Sequence, residues 1–376
     1  MIGRMQGMNS DTDTAAVSAS GMIDFSALAE RIRRWGGELG FSGVGIARAD
    51  ASEATPGLER WLALGRHGGM DYMAKHAALR SSPEALVPGT RSIISARLPY
   101  WQPGMESERV LADANLAYIS RYALGRDYHK TIRQRLQKLA DRIGTAIQEA
   151  DSEFDFAFRA FSDSAPVLEV EFARQSGIAW RGKHTLSLTR EGSWHFLGEL
   201  YTNLPLPPDA PIKPHCGSCR RCIDACPTGA IIEPYEVDAR LCISYLTIEL
   251  SGAIPIELRP AIGNRIYGCD DCQLCCPWNS FARSGDPDFA VRNGLDTISL
   301  VELFAWTEAG FLERLAGSPI RRIGHERWLR NIAVALGNGC PDAATFTALE
   351  SRANHESPLV REHVQWAITQ LRHKRA

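Results

Sequence analysis

Thiolates are the groups in this chain whose spacing speaks most directly of chemistry. Nine of the ten cysteines fall between Cys216 and Cys276, none precedes them, and Cys340 stands apart. Cys216-Gly-Ser-Cys219-Arg-Arg-Cys222-Ile-Asp-Ala-Cys226-Pro227 has the C-x2-C-x2-C-x3-C-P spacing in which three thiolates wrap one face of an iron–sulfur cubane. The fourth, turned away by the proline, reaches a second cluster. A zinc site would show paired C-x2-C units with a longer gap between them. The second run, Cys269-Asp-Asp-Cys272-Gln-Leu-Cys275-Cys276-Pro277, is irregular because its last two cysteines are adjacent. Two 4Fe-4S clusters need eight thiolates, and nine are on offer. Cys242 lies between the runs and can complete a set with Cys226, Cys269 and Cys272. Cys276, which precedes a proline as Cys226 does, then crosses over to Cys216, Cys219 and Cys222. Cys275 is left over; it and Cys340 read as small buried apolar residues, and His215 as a loop residue.

Two adjacent clusters conduct single electrons, and a plain carrier is far shorter than 376 residues, so the rest of the chain must bind what receives the electrons. Leu28, Ile32, Trp35 and Leu39 share one face of a helix that starts near Asp24 and stops at Gly40. Phe41 to Ala49 and Ser92 to Pro99 read as strands, with a helix through Leu58, Trp61 and Leu62 between them. Tyr128 to Ala150 is the clearest helix, with Ile132, Leu136, Leu139, Ile143 and Ile147 on one stripe. Alternating Phe154, Phe156 and Phe158 favour a strand, and Thr185 to Leu188 and Trp194 to Tyr201 flank a hairpin turn at Arg190-Glu-Gly192. After a proline-rich stretch from Leu204 to Pro214 come the cysteines. Then a helical tail follows, with Trp328, Leu329, Ile332, Ala333 and Leu336 on one stripe and two shorter helices at Ala343 to Ser351 and Pro358 to Leu371. These last pairs are compatible with HEAT-type repeats.

The expected layout is α+β: an N-terminal extension (1–20), an α/β catalytic domain (21–205), a two-cluster iron–sulfur domain (206–290) and a helical HEAT-like region (291–376). A net charge of −2, with 44% hydrophobic and 23% charged residues, suits a globular protein and gives no general attraction to phosphate. No run of about 20 apolar residues spans a membrane, and no secretory signal opens the chain, so a cytoplasmic location is expected.

Longer motifs accompany the cysteines: Ser120-Arg-Tyr-Ala-Leu-Gly-Arg-Asp-Tyr-His129, Asp163-Ser-Ala-Pro-Val-Leu-Glu169, Ser244-Tyr-Leu-Thr-Ile-Glu-Leu250 and Gly263-Asn-Arg-Ile-Tyr-Gly-Cys-Asp-Asp-Cys272. In this order, from about residue 24 to about residue 370, the chain resembles the epoxyqueuosine reductases, cobalamin-dependent iron–sulfur enzymes of the last step of queuosine synthesis. The extra Cys275 and the N-terminal extension depart from the pattern. The resemblance implies a cobalamin held beside the first cluster and a tRNA with epoxyqueuosine at the wobble position of its anticodon loop. It also implies a low-potential electron donor such as flavodoxin or ferredoxin; a monomer is expected. Arg80, Asp163, Lys183, Ser187, Ser244, Cys269 and Asp270 are the residues it implies around the corrin. Asp127-Tyr-His129-Lys-Thr-Ile132 begins like the D-x-H-x-x-G motif that gives a histidine to cobalt, but Ile132 replaces the glycine, so a base-off corrinoid without a histidine ligand fits better.

Removing an epoxide oxygen to leave an alkene takes two electrons and two protons. By resemblance the acid is Asp163, whose pKa, about 3.9 in water, burial near Phe161 and Val167 would have to raise. The alternative for Asp163 is a helix cap ahead of Pro166 and Leu168. For tRNA, Arg321, Arg322, Arg327 and Arg330, interleaved with Trp328, form a local basic patch able to follow a phosphate backbone. Arg31, Arg33 and Arg34 read as surface, while Arg181 and Lys183 are expected to face the corrin or its phosphate. A corrinoid reductive dehalogenase shares these cofactors but usually carries an export signal, and a ferredoxin-like carrier shares only the cysteines.

Overall fold

A computed structural model describes residues 23–104 and 106–375. The expected extension at residues 1–20 lies outside them. Helix α1 (Phe25–Glu38) starts where the Asp24 carboxylate accepts the amides of Ser26 and Ala27, and ends at Gly40, whose φ of +90° suits glycine. Strands β1 (Gly43–Arg48) and β2 (Ser92–Pro99) follow, then helix α2 (Tyr128–Ala150), strand β3 (Phe158–Phe161), helix α3 (Glu169–Gln175) and strand β4 (His195–Thr202). The four strands form one antiparallel sheet in the order β1-β2-β4-β3. The stripe on α2 packs with Leu28 and Ile32 of α1 and with Ile94 and Leu200 of the sheet, all buried.

Two local expectations differ from the structure. Phe154 and Phe156 precede the strand, and only Phe158 joins it; Phe156 stacks on Phe158 with ring centroids 5.3 Å apart. Alternation there reports ring packing, not ladder pairing. The turn at residues 189–192 does form, with Thr189 and Gly192 exchanging backbone hydrogen bonds, but its arms do not pair with each other beyond it. Ser187–Leu188 pairs with Trp180–Arg181, and β4 lies between β2 and β3.

A second core belongs to the C-terminal half. Helices α4 (Gly324–Asn338), α5 (Ala343–Glu350) and α6 (Pro358–Arg375) bury Trp328, Leu329, Ile332, Val364 and Leu371 against Ile243, Leu246 and Ile266 of the cysteine region and Ile119 and Leu124 of the N-terminal half. Gly337 lets α4 and α6 touch: a Cβ there would lie 2.6 Å from the Trp366 ring. Because one core ties all three regions together, the cavities between them have fixed walls. No helix among the described residues is long and apolar enough to cross a membrane.

Candidate active site

Three joined cavities lie between the sheet, the cysteine region and the helical tail. The first, about 410 Å³, has Phe196 and Leu197 of β4 on one wall and Cys226, Cys242, Cys269 and Cys272 on the other. The second, about 530 Å³, shares Glu169, Val170 and Thr185 with the first and is bounded by Arg80 and Arg181. The third, about 370 Å³, shares Tyr128, Asp163 and Ser244 with the first and extends to Tyr245, Glu249, Arg322 and Arg327. Asp163 therefore stands at one junction and Glu169 at the other.

Among the described residues no three side chains are already arranged as metal ligands, but the cysteines lie near one another. Burial and then the neighbouring charges of Cys276, Cys216 and Cys219 push the Cys222 thiol up to about 11, which marks those four as one group. Cys272 is raised by burial and then by Cys242, Asp270, Cys222 and Cys275, and Cys242 by burial and by Cys226, so Cys272 stands close to cysteines of both runs. Ligated iron removes these protons, since thiolate is the binding form. The Cys226 sulfur accepts the Ala230 amide at 3.2 Å, a bond suited to a ligating thiolate. Cys226, Cys242, Cys269 and Cys272 line the first cavity, and Cys216, Cys219, Cys222 and Cys276 do not. Cys275 is half-buried beside Cys222 and Cys276, whereas Cys340 is exposed and is not the buried apolar residue expected, because it follows the end of α4.

Asp163 is no helix cap. It lies in the loop after β3 with φ +57°, and α3 begins six positions later without a side-chain cap. Its carboxylate accepts the Tyr128 hydroxyl and, at 3.0 Å, Nε2 of His129. His129 is buried on α2, and its Nδ1 lies 2.7 Å from Asp127, the residue that caps the helix. Burial depresses the imidazole, but its bonds to Asp127 and Asp163 outweigh this and raise it; the Arg322 guanidinium also reaches Nε2, at 3.1 Å. For Asp163, burial works against the charge, yet the bonds from His129 and Tyr128 and the charges of His129 and Arg322 hold the carboxyl below its ordinary range. The expectation of a raised Asp163 is thus reversed, because Phe161 and Val167 pack into a neighbouring core while the carboxylate meets donors.

Among the described residues Glu169, Glu199, Glu249 and Asp270 are the raised carboxyls, each by burial first, and the sequence reading assigned Glu169 and Glu199 no role. Burial, then the charge of Asp163, pushes Glu169 up to about 8, although the Asp163 amide donates to it. Glu199, fully buried on β4, is driven well above its ordinary value by burial and by Glu169 and Asp163. A lone glutamate in the apolar run His195 to Tyr201 was the available signal.

The other expected site residues divide. Ser187, Ser244, Cys269 and Asp270 line the first cavity. Asp270 is buried and accepts from Tyr118, Ser120 and the Arg121 amide. Arg80 lines the second cavity instead. Lys183 does not face a corrin: its ammonium donates to the carbonyls of Gly217, at 2.6 Å, and Cys219, at 2.9 Å, and so clamps the first cysteine loop. Arg321 and Arg322 are exposed, and Arg322 and Arg327 rim the third cavity. Arg330 is corrected outright. It is fully buried and donates to the carbonyls of Leu246, Leu250 and Gly252, so it cannot meet RNA.

Cobalamin can be tested against these residues. His129 borders the third cavity with both ring nitrogens engaged. Of the histidines on the first cavity, His195 is bound to Ser187 and His184 accepts the Leu186 amide, both kept neutral by burial. The Nε2 of His184 is buried there without a hydrogen-bond partner, but with Nδ1 accepting the Leu186 amide the neutral ring carries its proton on Nε2, and the largely apolar wall opposite four cysteines suits a flat, redox-active ring. The residues fit a base-off corrinoid.

An apolar cofactor cavity walled by cluster cysteines and closed by ionisable groups defines an iron–sulfur oxidoreductase. Comparison with known proteins makes this specific. A family described as epoxyqueuosine reductase QueG, DUF1730 matches residues 80–164, and a 4Fe-4S double cluster binding domain matches residues 215–279. Epoxyqueuosine reductase of Burkholderia pseudomallei is 53% identical over 394 residues, covering 94% of this chain and 95% of the relative. That of Escherichia coli is 54% identical over 350 residues, covering 93% and 90%. A crystal structure of epoxyqueuosine reductase with a tRNA-Tyr epoxyqueuosine-modified stem loop superposes with a TM-score of 0.81 at 29% identity, covering 92% of this chain and 90% of that one. The enzyme of Streptococcus thermophilus gives 0.77 at 27% identity, covering 91% and 90%. The chain belongs to the epoxyqueuosine reductase family.

Proposed function

We propose that the three cavities divide the reduction of epoxyqueuosine in tRNA between them, with the cofactor in the first and second and the modified nucleoside in the third. The observation that carries this is Asp163, which borders both the cysteine-walled cavity and the polar one. Cobalamin there, contacted by Ser187, Ser244, Cys269 and Asp270 and by Arg80 at its edge, supplies a low-potential metal nucleophile toward an epoxide carbon. Two 4Fe-4S clusters, on the cysteine sets above, supply its electrons singly. Cys219 is exposed and the second set is inside, so a low-potential donor such as flavodoxin or ferredoxin docks at the Cys219 side.

The chain's own residues do the rest. Tyr245, Tyr267 and Glu249 shape the nucleoside cavity, and Arg322 and Arg327 at its rim, with Arg321 outside, meet the anticodon backbone. Asp163 points at the junction, where it hands a proton to the departing oxygen. Its resting carboxylate must first be protonated, and Tyr128 and His129 hold it in position meanwhile. A tRNA substrate places the enzyme in the cytoplasm. Single-turnover conversion of epoxyqueuosine tRNA by the holoenzyme tests the reading: Asp163→Asn should bind tRNA and stall.

A further inference from the structure

Removal of the epoxide oxygen as water consumes two protons, while Asp163 rests ionised and carries none. Two further carboxyls, Glu169 and Glu199, feel its charge. Glu199 lies on β4 opposite Phe161, the last residue of β3, and Asp163 follows two positions later. Neither Glu199 oxygen meets a hydrogen-bond donor among the described residues, and both are sealed from solvent. The Glu169 carboxyl is the charged neighbour that raises Glu199 most after burial. Glu169 in turn receives the backbone N–H of Asp163 and borders both cofactor cavities. Ser95, opposite Glu199 on β2, is buried with its hydroxyl equally unpartnered, so the sheet offers the pair no counter-charge. Two neighbouring carboxylates cannot both stay ionised in such a place; a proton shared by them is the ordinary resolution. A structural ion pair would need a cation, and Arg80, the cation facing Glu169 and Asp163, bonds to the Val167 carbonyl.

We propose that Glu169 and Glu199 form a buried carboxyl pair that retains a proton at neutral pH and passes it to Asp163, making them the proton reserve of the reaction. This rests on the acid role given to Asp163 above. In the step, the O–H bond of Glu169 breaks and the Asp163 carboxylate gains the proton that the pair shared, leaving both glutamates ionised until it is replaced. No electron moves. The pair refills from solvent by way of the second cavity, which Glu169 lines. The titratable and charged groups facing the pair are Asp163, His129 and Tyr128, together with Arg80 and Tyr201. Only Asp163 is both next to the pair and on the wall of the nucleoside cavity as a proton acceptor at rest.

Infrared spectroscopy of the holoenzyme with 13C-labelled glutamate reads the pair without turnover. At neutral pH a protonated glutamate carboxyl band should be present, and it should weaken or vanish in both Glu199→Gln and Glu169→Gln. Single-turnover rates, measured across pH with cobalamin and iron content checked, should fall about 10-fold or more on the alkaline side in both variants. In Glu199→Gln the alkaline limb should also shift to lower pH, because the glutamine amide stabilises the Glu169 carboxylate. Absence of a protonated glutamate at neutral pH overturns the proposal, as does a wild-type alkaline limb in both variants. If Glu199→Gln fails to fold, Glu169→Gln, on the cavity wall, decides the matter. Asp163→Asn separates the two readings: it should keep the glutamate band while losing turnover. Wild-type turnover in that variant removes the acid role of Asp163 whatever the band shows.

Discussion

His129 and Asp163, thirty-four positions apart in the chain, are joined by a 3.0 Å hydrogen bond on the wall of the nucleoside cavity. The bond continues a line that begins at the cap of α2, where Asp127 holds the opposite ring nitrogen at 2.7 Å. A helix start thereby fixes the orientation of a residue in a left-handed loop conformation, which has no regular structure of its own to hold it. The Asp127-Tyr-His129 stretch, so similar to the start of a cobalt-ligating motif, instead has its histidine bonded to two aspartates.

Asp163→Asn keeps the size and most of the hydrogen bonding of the side chain but cannot carry a proton. Cobalamin and tRNA binding should be retained, and single-turnover conversion with cofactor reduced beforehand should fall by ~100-fold or more. Near wild-type conversion would assign the proton to another group.

The cysteine partition predicts about eight irons after anaerobic reconstitution. Cys275→Ala should leave iron content unchanged, Cys276→Ala should damage the set that includes Cys219, and Cys242→Ala should damage the cavity-facing set. Iron analysis with electron paramagnetic resonance distinguishes the two losses; a wild-type preparation fixed at about four irons would end the two-cluster assignment.

The sequence made some of this legible because local physics decided it. The stripes on α1, α2 and α4 and the cap at Asp24 follow from side-chain periodicity and short-range hydrogen bonding, which a sequence displays directly. Thiolate spacing likewise made the double-cluster region legible. What stayed hidden depends on tertiary approach. Arg330 sits in a basic run and looks solvated, yet three carbonyls left free where the chain leaves a helix near Leu246 draw it inside. Lys183 was likewise given to the corrin, while its partners lie on a loop more than thirty residues away. The charge of Asp163 depends on donors from another element, and no local pattern encodes them.

The arginines separate by burial. Neutralising Arg321, Arg322 and Arg327 together should weaken tRNA binding and flatten its dependence on salt, with iron and cobalamin content intact. Arg330→Ala should instead leave three buried carbonyls without their donor, lower the melting temperature, and keep the salt slope of whatever folded protein remains. An unchanged slope in the triple variant would put the RNA surface elsewhere.

The pH dependence of stability provides the last prediction. Glu169 has its carboxyl pushed up to about 8, first by burial and then by Asp163. An unfolded glutamate releases its proton near its ordinary value of 4.5. Between these values the native state binds a proton that the unfolded chain has lost, so stability falls as pH rises, and the contribution present below about 4.5 is gone once pH passes about 8. His129, also raised, acts in the same direction as pH climbs above 6.5, whereas Asp163, held low, contributes at neutral pH and loses its effect only in acid. The glutamate contribution therefore has to be read as a difference between proteins. Glu169→Gln removes the titration while keeping the shape, so its melting temperature should exceed that of the wild type increasingly from pH 5 to pH 8, with the curves converging in acid. Melting curves of the two proteins at matched cobalamin and iron content check this, and curves that stay parallel over that range would mean that Glu169 is ionised in the fold at neutral pH.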